Sequence, residues 1–279
     1  RQIEIQQNGE TEIIQGTNVL LATGSTPRTI QGFEIDGKTV MTSDEFLSIE
    51  ETPNRVAVIG GGAIGCEFAS LLNDLGSSVT LLESLDEILP GCDKDVSTAV
   101  RRSFIKKGID IQTGVQVEGH EGDAEKTTVS WSDKGEVNQR EVDLVVVAVG
   151  RKPNGYTAGL QDTEVVVDEK GFVEVDEKLR TKEEGVWAAG DVINTPQLAH
   201  VGFAEGIFVV KEILGESPVE IDPSTVPWCI YCDPEVAFAG LTEESAKTAG
   251  YKVTISKHRY SGNGRAMIIG ETEGLVKVV

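Results

Sequence analysis

Residues 55–83 run Arg-Val-Ala-Val-Ile-Gly-Gly-Gly-Ala-Ile-Gly-Cys-Glu-Phe-Ala-Ser-Leu-Leu-Asn-Asp-Leu-Gly-Ser-Ser-Val-Thr-Leu-Leu-Glu. No other stretch constrains the fold as tightly. An apolar strand, Val56–Ile59, enters a turn with glycines at 60, 62 and 65. A helical pattern follows to Leu75-Gly76, and a second strand, 78–82, delivers Glu83 at its end. Strand, turn, helix, strand and terminal acid together form the dinucleotide fingerprint. Each part has a physical reason. Gly60 permits the tight turn, Gly62 allows close backbone approach to a pyrophosphate, and Gly65 lets helix and strand pack closely. The helix start at Ala63-Ile64 offers N–H groups and a partial positive charge to phosphate. Glu83 is suited to accept hydrogen bonds from a ribose, and its charge repels a 2′-phosphate. No Arg or Lys follows in Ser84-Leu85-Asp86-Glu87, so the pattern reads as NAD(H) rather than NADP(H).

A net charge of −21 argues against nucleic acid and anionic membrane surfaces as partners. Aromatic residues make up only 5% of the chain, which suits an aliphatic α/β protein with a parallel sheet better than an aromatic-rich sandwich. No apolar run approaches the roughly 20 residues that span a bilayer, and no signal-peptide pattern is present. Four scattered cysteines do not make a disulfide framework, which points to a reducing, cytoplasmic setting. The chain starts on Arg1 inside an alternating strand and stops at Val279 inside another. Both ends read as cuts through a longer protein.

Along the chain, residues 1–22 read as a hairpin turning at Asn8-Gly9, followed by an apolar strand over 18–22. That strand ends in Thr23-Gly24-Ser25-Thr26-Pro27-Arg28. A connector with a short helix near 43–49 leads to the fingerprint unit. This unit continues with a helix near 96–107 closed by Gly108, a β-meander across 110–141, and a buried strand over 143–149 ending at Gly150. Residues 155–195 carry strand signals that end in Ala188-Ala189-Gly190-Asp191. A helix is predicted over roughly 198–214, closed by Gly215. Beyond Asp222-Pro223, strands near 228–231 and 252–259 flank a helix capped by Thr242 and closed by Gly250. The architecture is therefore α/β. One dinucleotide domain (53–150) is inserted between two pieces of another (1–52 and 151–217), and an α+β segment (218–279) begins after them. The outer domain lacks a glycine turn of its own, which is expected upstream of Arg1.

These motifs give a resemblance. Ala22-Thr-Gly-Ser-Thr-Pro-Arg, the fingerprint, Val149-Gly-Arg-Lys-Pro-Asn, Ala188-Ala-Gly-Asp and Leu198-Ala-His are similar to the two-dinucleotide-fold flavoprotein disulfide reductases. Cys229-Ile-Tyr-Cys-Asp-Pro-Glu-Val-Ala, Gly240-Leu-Thr-Glu-Glu-Ser-Ala, and Asn263-Gly-Arg-Ala with Glu271-Thr-Glu-Gly lean toward the lipoyl-oxidising branch, the dihydrolipoyl dehydrogenases. The resemblance implies an NAD-binding Rossmann-like domain within an incomplete FAD-binding one, then the start of a dimerisation domain. It implies electron transfer between dihydrolipoyl groups and NAD through a redox disulfide and FAD. It also implies a homodimer and a lipoyl-bearing acyltransferase or glycine-cleavage carrier protein as partner. On the NAD side it points to Gly60, Gly61, Gly62, Ala63, Ile64, Gly65, Cys66, Glu67, Glu83, Val117 and Gly150, with Glu67 on the first helical turn near the nicotinamide. On the FAD side it points to Thr23, Gly24 and Ser25, to Asp191 for the ribityl chain, and to Gln197, Leu198, Ala199 and His200 at the start of a helix aimed at the flavin. The family's Cys-x₄-Cys dithiol and C-terminal His–Glu pair have no counterpart here. No catalytic residue is therefore assigned within the chain. Two alternatives stay open: a mercuric or soluble pyridine-nucleotide reductase, and a non-catalytic NAD-binding module.

Other features have blander readings. Cys229-Ile-Tyr-Cys232 has redox-pair spacing but lies in a strand pattern, away from a helix N-terminus that would stabilise a thiolate. Strand packing is the simpler account. Cys66 reads as a small core residue and Cys92 as a loop residue. The histidines, His120 in an acidic loop, His200 and His258 in a strand, are too dispersed to ligate a metal. The acidic run 118–125 reads as a solvated hairpin surface.

Overall fold

The computed structural model describes residues 1–122, 126–157 and 159–279. The end of the acidic run, 123–125, therefore lies outside the described residues. The chain divides into two compact units, one of Arg1–Thr26 and Arg151–Val226, the other of Pro27–Gly150 and Pro227–Val279. Among the described residues the α-helices are α1 (Ser43–Phe46), α2 (Ala63–Asp74), α3 (Lys94–Lys107), α4 (Ala199–Ile213), α5 (Glu243–Thr248) and α6 (Gly264–Ile269). None is long and apolar enough to cross a membrane.

The second unit is built on a five-stranded parallel sheet in the order Val40–Thr42, Leu144–Val147, Arg55–Ile59, Ser78–Glu83, Asp110–Thr113. Strand order therefore reverses beside Arg55–Ile59, which makes its carboxyl end a crevice at a topological switch point. Side chains alternate across this strand. Val56 and Val58 join Cys66, Phe68, Ala69 and Leu72 of α2 and Val100 and Phe104 of α3 in one apolar layer. Ala57 and Ile59 join Val145, Val147, Val129 and Trp131 in a second. The second layer lies beneath a three-stranded antiparallel sheet of Gln116–Gly122, Thr127–Asp133 and Glu136–Val142. The fully buried Leu144–Val147 strand has no alternation because both of its faces are covered.

The meander is shorter than the sequence pattern implies. Asp110–Thr113 pairs in parallel with Ser78–Glu83, completing a second crossover through α3. Gly114, at φ +70°, turns the chain away before the antiparallel strands begin. His120 lies in the strand Gln116–Gly122 rather than in a loop; its ring stacks on Phe33 and its Nδ1 pairs with Thr127 Oγ1 at 2.8 Å. Glu118 and Glu121 of the acidic run are exposed.

In the first unit, the hairpin Gln2–Gln7/Glu10–Gln15 turns through Asn8 and Gly9 with φ of +53° and +82°, the left-handed pair a two-residue type I′ turn needs. Val19–Leu21 pairs in parallel with Val186–Ala188. Among the described residues, the strand signals over 155–185 do not become ladders. Isolated bridges join Val167 to Val173 and Arg180 to Trp187. Here Val165, Val167, Val173 and Val175 pack into a small cluster with Val192 and Ile193. Apolar alternation thus serves packing without extended pairing.

Candidate functional site

The glycine turn of the second unit occupies the carboxyl end of Arg55–Ile59, and its glycines answer to three different constraints. Gly60 has φ +106°, and a Cβ there would lie 2.4 Å from Ala148 O. A Cβ on Gly65 would lie 1.8 Å from Gly60 O. Both positions exclude any side chain because backbone stands in the way. Gly62 is different. It has ordinary extended geometry as the N-cap of α2, and a Cβ would meet nothing within 4 Å. Its openness leaves room for a ligand rather than for protein.

Helix caps sharpen this point. Side chains of Thr42, Asp93, Thr242 and Asn263 cap α1, α3, α5 and α6. α2 and α4 have no side-chain cap hydrogen bond and no acid in the first turn. Their leading N–H groups are left for an external anion or water. On α2 these come from Ala63, Ile64 and Gly65. Cys66 is committed internally: its N–H donates to Gly62 O at 2.9 Å and its thiol to Gly61 O at 3.4 Å. The open cradle at Gly62 and the uncapped helix start fit the pyrophosphate of a dinucleotide.

Glu83 is 7% exposed and braces the turn from below. One carboxylate oxygen accepts the Gly61 N–H at 2.6 Å, and the other accepts the Leu85 N–H at 2.8 Å and the Ser84 hydroxyl at 3.2 Å. A carboxylate has about four lone-pair sites, so this brace leaves capacity for a ribose hydroxyl. Glu67 is the fifth residue of α2, just past the first turn on which the sequence reading put it. Its Oε1 accepts the Tyr231 N–H at 2.8 Å, while Ser70, three residues on, accepts the Asp233 N–H at 2.9 Å. The segment after the strand Trp228–Ile230 is thereby pinned to the fingerprint helix. Val117 is half-buried against the second apolar layer. Gly150 follows the Leu144–Val147 strand with φ +105°, and its carbonyl accepts the Arg28 N–H at 2.9 Å.

The first unit gathers its site from three distant stretches. Ser25 Oγ donates to Asp191 Oδ2 at 2.6 Å, and Arg151 Nε donates to Ser25 Oγ at 2.7 Å. Asn154 anchors the same turn, giving its backbone N–H to Gly24 O at 2.9 Å and its amide to Thr23 O at 2.9 Å. Gly24, at φ +67°, presents an open face. Gln197 Nε2 donates to Asp191 O at 3.4 Å, Leu198 is the N-cap of α4, and Ala199 and His200 are exposed on its first turn. An aimed carboxylate, an open glycine and an uncapped helix start fit a polyhydroxylated, anionic ligand such as FAD. Arg151, Asn154 and Glu205 belong to this mesh but were not singled out in the sequence. Arg151 and Asn154 stand in the quoted Gly-Arg-Lys-Pro-Asn turn, whereas Glu205 has no motif to mark it.

Three of the cysteines are distant from thiolate chemistry. Burial pushes the Cys232 thiol up to about 12 and the Cys92 thiol up to about 11, and it raises Cys66 further. Cys232 Sγ donates to Pro234 O at 3.2 Å.

Comparison with known proteins agrees with this geometry. Dihydrolipoyl dehydrogenase of Bacillus subtilis is 40% identical over 99% of the chain, which covers 59% of that protein. LpdA from Mycobacterium tuberculosis superposes with a TM-score of 0.90 at 26% identity, over 99% of this chain and 60% of that one. The HOCl-induced flavoprotein disulfide reductase RclA of Escherichia coli does so with a TM-score of 0.88 at 28% identity, over 99% and 62%. The chain thus spans about three fifths of the length of these relatives. The family model described as pyridine nucleotide-disulphide oxidoreductase matches residues 1–206, and the model for the dimerisation domain of the same family matches 226–279. The chain belongs to the pyridine nucleotide-disulphide oxidoreductase family.

Proposed function

We propose that this chain supplies the NAD(H) port and part of the flavin cradle of a dihydrolipoyl dehydrogenase. The observation that carries the reading is the pair of helices, α2 and α4, that alone among the described α-helices lack a side-chain cap. The family is FAD- and NAD(P)-dependent, and Glu83 supports NAD over NADP. The 40% identity to a dihydrolipoyl dehydrogenase favours lipoyl substrates. In this reading, 53–150 is the NAD-binding domain, 1–52 and 151–217 are flavin-binding, and 218–279 belongs to a homodimer interface. The redox dithiol and its acid/base pair lie outside these 279 residues. When bound, FAD and NAD supply hydride and electron transfer. The chain's own residues bind and orient. Ala63, Ile64 and Gly65 offer N–H groups to the pyrophosphate, and Glu83 holds the turn and the ribose. Glu67 faces the nicotinamide end. Asp191 fixes the ribityl chain, and the α4 start favours negative charge on the flavin ring. The partner is a lipoyl-bearing acyltransferase or glycine-cleavage carrier protein, met in the cytoplasm.

NADH fluorescence titration of residues 1–279, with NADPH as control, tests the port. We expect NADH to bind at least about tenfold more tightly, with little flavin in the visible spectrum. Equal affinities would remove the role of Glu83. Dihydrolipoamide-dependent NAD reduction by the full-length protein tests the rest, and its absence would leave another disulfide reductase as the reading.

A further inference from the structure

Glu205 sits in the middle of α4 with only 2% of its surface exposed. Ionisable groups are rarely kept so deep without a specific partner. The Gly190 backbone N–H donates to Glu205 Oε2 at 2.6 Å. Burial raises the Glu205 carboxyl, the Gly190 N–H and then the Thr195 hydroxyl oppose that rise, and the charge of Asp191 adds to it.

The hydrogen bond acts at a turn that glycine adopts and other residues rarely do. Gly190 has φ +76° and opens the short 3₁₀ turn Gly190–Val192, which carries Asp191. One helical turn before Glu205, a Cβ on Gly202 would come within 3.4 Å of Gly190 Cα. Residues three apart share a helix face. The same face of α4 therefore grips Gly190 twice, by close approach at Gly202 and by a hydrogen bond from Glu205. Asp191 leaves this turn to meet Ser25 Oγ, and the α4 start lies less than two helical turns from Glu205.

We infer that Glu205 is a positioning residue for the flavin, locking the Gly190–Asp191 turn to α4 so that the Asp191 carboxylate and the helix N-terminus hold a fixed mutual geometry. This rests on the reading of the first unit as the flavin cradle. In this role Glu205 acts on the flavin only through the Asp191 turn and the α4 start.

Amide hydrogen exchange at Gly190 in residues 1–279 tests the grip without any cofactor. We expect Glu205→Leu to speed exchange at Gly190 by at least about tenfold, while Glu205→Gln, which keeps a carbonyl acceptor, stays near wild type. In the full-length protein, Glu205→Leu should weaken FAD binding about tenfold and shift the flavin reduction potential, with Glu205→Gln within about threefold. If Glu205→Leu fails to fold, Glu205→Asp, which withdraws the carboxylate by one methylene, should fall between the two. An unprotected Gly190 amide in wild type, or a Glu205→Gln protein as impaired as Glu205→Leu, overturns the role of Glu205. A wild-type full-length protein that takes up no FAD sinks the flavin reading instead.

Discussion

The two ligand cradles solve the same problem with opposite economies of sequence. The glycine turn of the second unit takes its strand, turn, helix and bracing acid from one run of residues 55–83. The cradle of the first unit joins Ser25 to Asp191 across 166 positions and to Arg151 across 126. The first kind of site depends on backbone that no side chain may enter. The second depends on hydrogen bonds between elements that are neighbours only after folding. The difference predicts different failures: steric and total in one, graded and chemical in the other.

The harshest test is Gly65→Ala. Its methyl would stand 1.8 Å from Gly60 O and 3.0 Å from Gly60 C, both backbone atoms, so the turn must open. Loss of at least about 3 kcal/mol is expected in denaturant unfolding. Gly62→Ala is the matched control. Its methyl meets nothing within 4 Å, so stability should hold within about 0.5 kcal/mol while NADH affinity falls. If both variants fold equally well, or both bind NADH normally, the division between protein-limited and ligand-limited glycines is wrong.

Charge provides another way to hold distant chain, and Lys277 is its clearest case. Its side chain is 7% exposed, and Nζ lies 2.7–2.8 Å from Asp93, Asp95 and Glu243. Burial works against the ammonium, but the three acids win and raise it. Asp95 is held down at about 2 by Lys257 and then Lys277, and Glu243 at about 2 by Lys247 and then Lys277. Asp93 is also lowered: burial raises it, but Lys277 and the Asp95 and Glu243 N–H groups together outweigh that rise. These folded-state values lie below the unfolded ones. The stabilisation is therefore complete above about pH 4.5 and is lost as pH falls toward 2. Lys277→Met strands three carboxylates and should cost about 2 kcal/mol, less than for a fully buried pair because the acids are partly solvated. It should also move the acid-unfolding midpoint upward. An unchanged midpoint would show that Lys277 is not the anchor.

A like-for-like deletion compares the two cradles directly. Glu83→Ala removes the acceptor of two backbone N–H groups, and Ser25→Ala removes one hydroxyl between Asp191 and Arg151. Expected losses are about 2 kcal/mol for the first and about 1 for the second. NADH titration should register only Glu83→Ala, and FAD retention in the full-length protein only Ser25→Ala. A variant that disturbs both ligands would mean the two cradles are energetically coupled.

Legibility in the sequence followed the same division. The crossover through α2 was readable because its glycines, apolar period and terminal acid are local. The caps Thr242 and Gly108 were readable for the same reason. Asp110–Thr113 was misjudged because four residues carry too little pattern to distinguish a parallel edge strand from a meander. The signals over 155–185 misled because alternating valines satisfy a small core as well as a ladder. The brace from Glu83 to Gly61 and the grip of Glu205 on Gly190 left no local trace, since each depends on where a side chain lands after folding.

The smallest expected effect concerns Cys229 and Cys232, whose spacing imitates a redox pair. A reactive pair needs a thiolate, supplied by a helix N-terminus or a nearby cation. Cys229 lies in the strand Trp228–Ile230, and Cys232 is buried among Cys66, Phe68 and Ala69 of α2, with its thiol donating to Pro234 O. With that thiol pushed up to about 12, its thiolate fraction at pH 7 is on the order of 10⁻⁵. Cys232 in the native protein should resist a thiol-specific disulfide reagent at pH 7 and react only on unfolding. Cys229→Ser should leave NADH affinity within about twofold, because nothing in the glycine turn depends on it. Rapid labelling of native Cys232, or a disulfide between the two under mild oxidation, would place thiol chemistry beside the NAD port and turn a packing segment into a third reactive site.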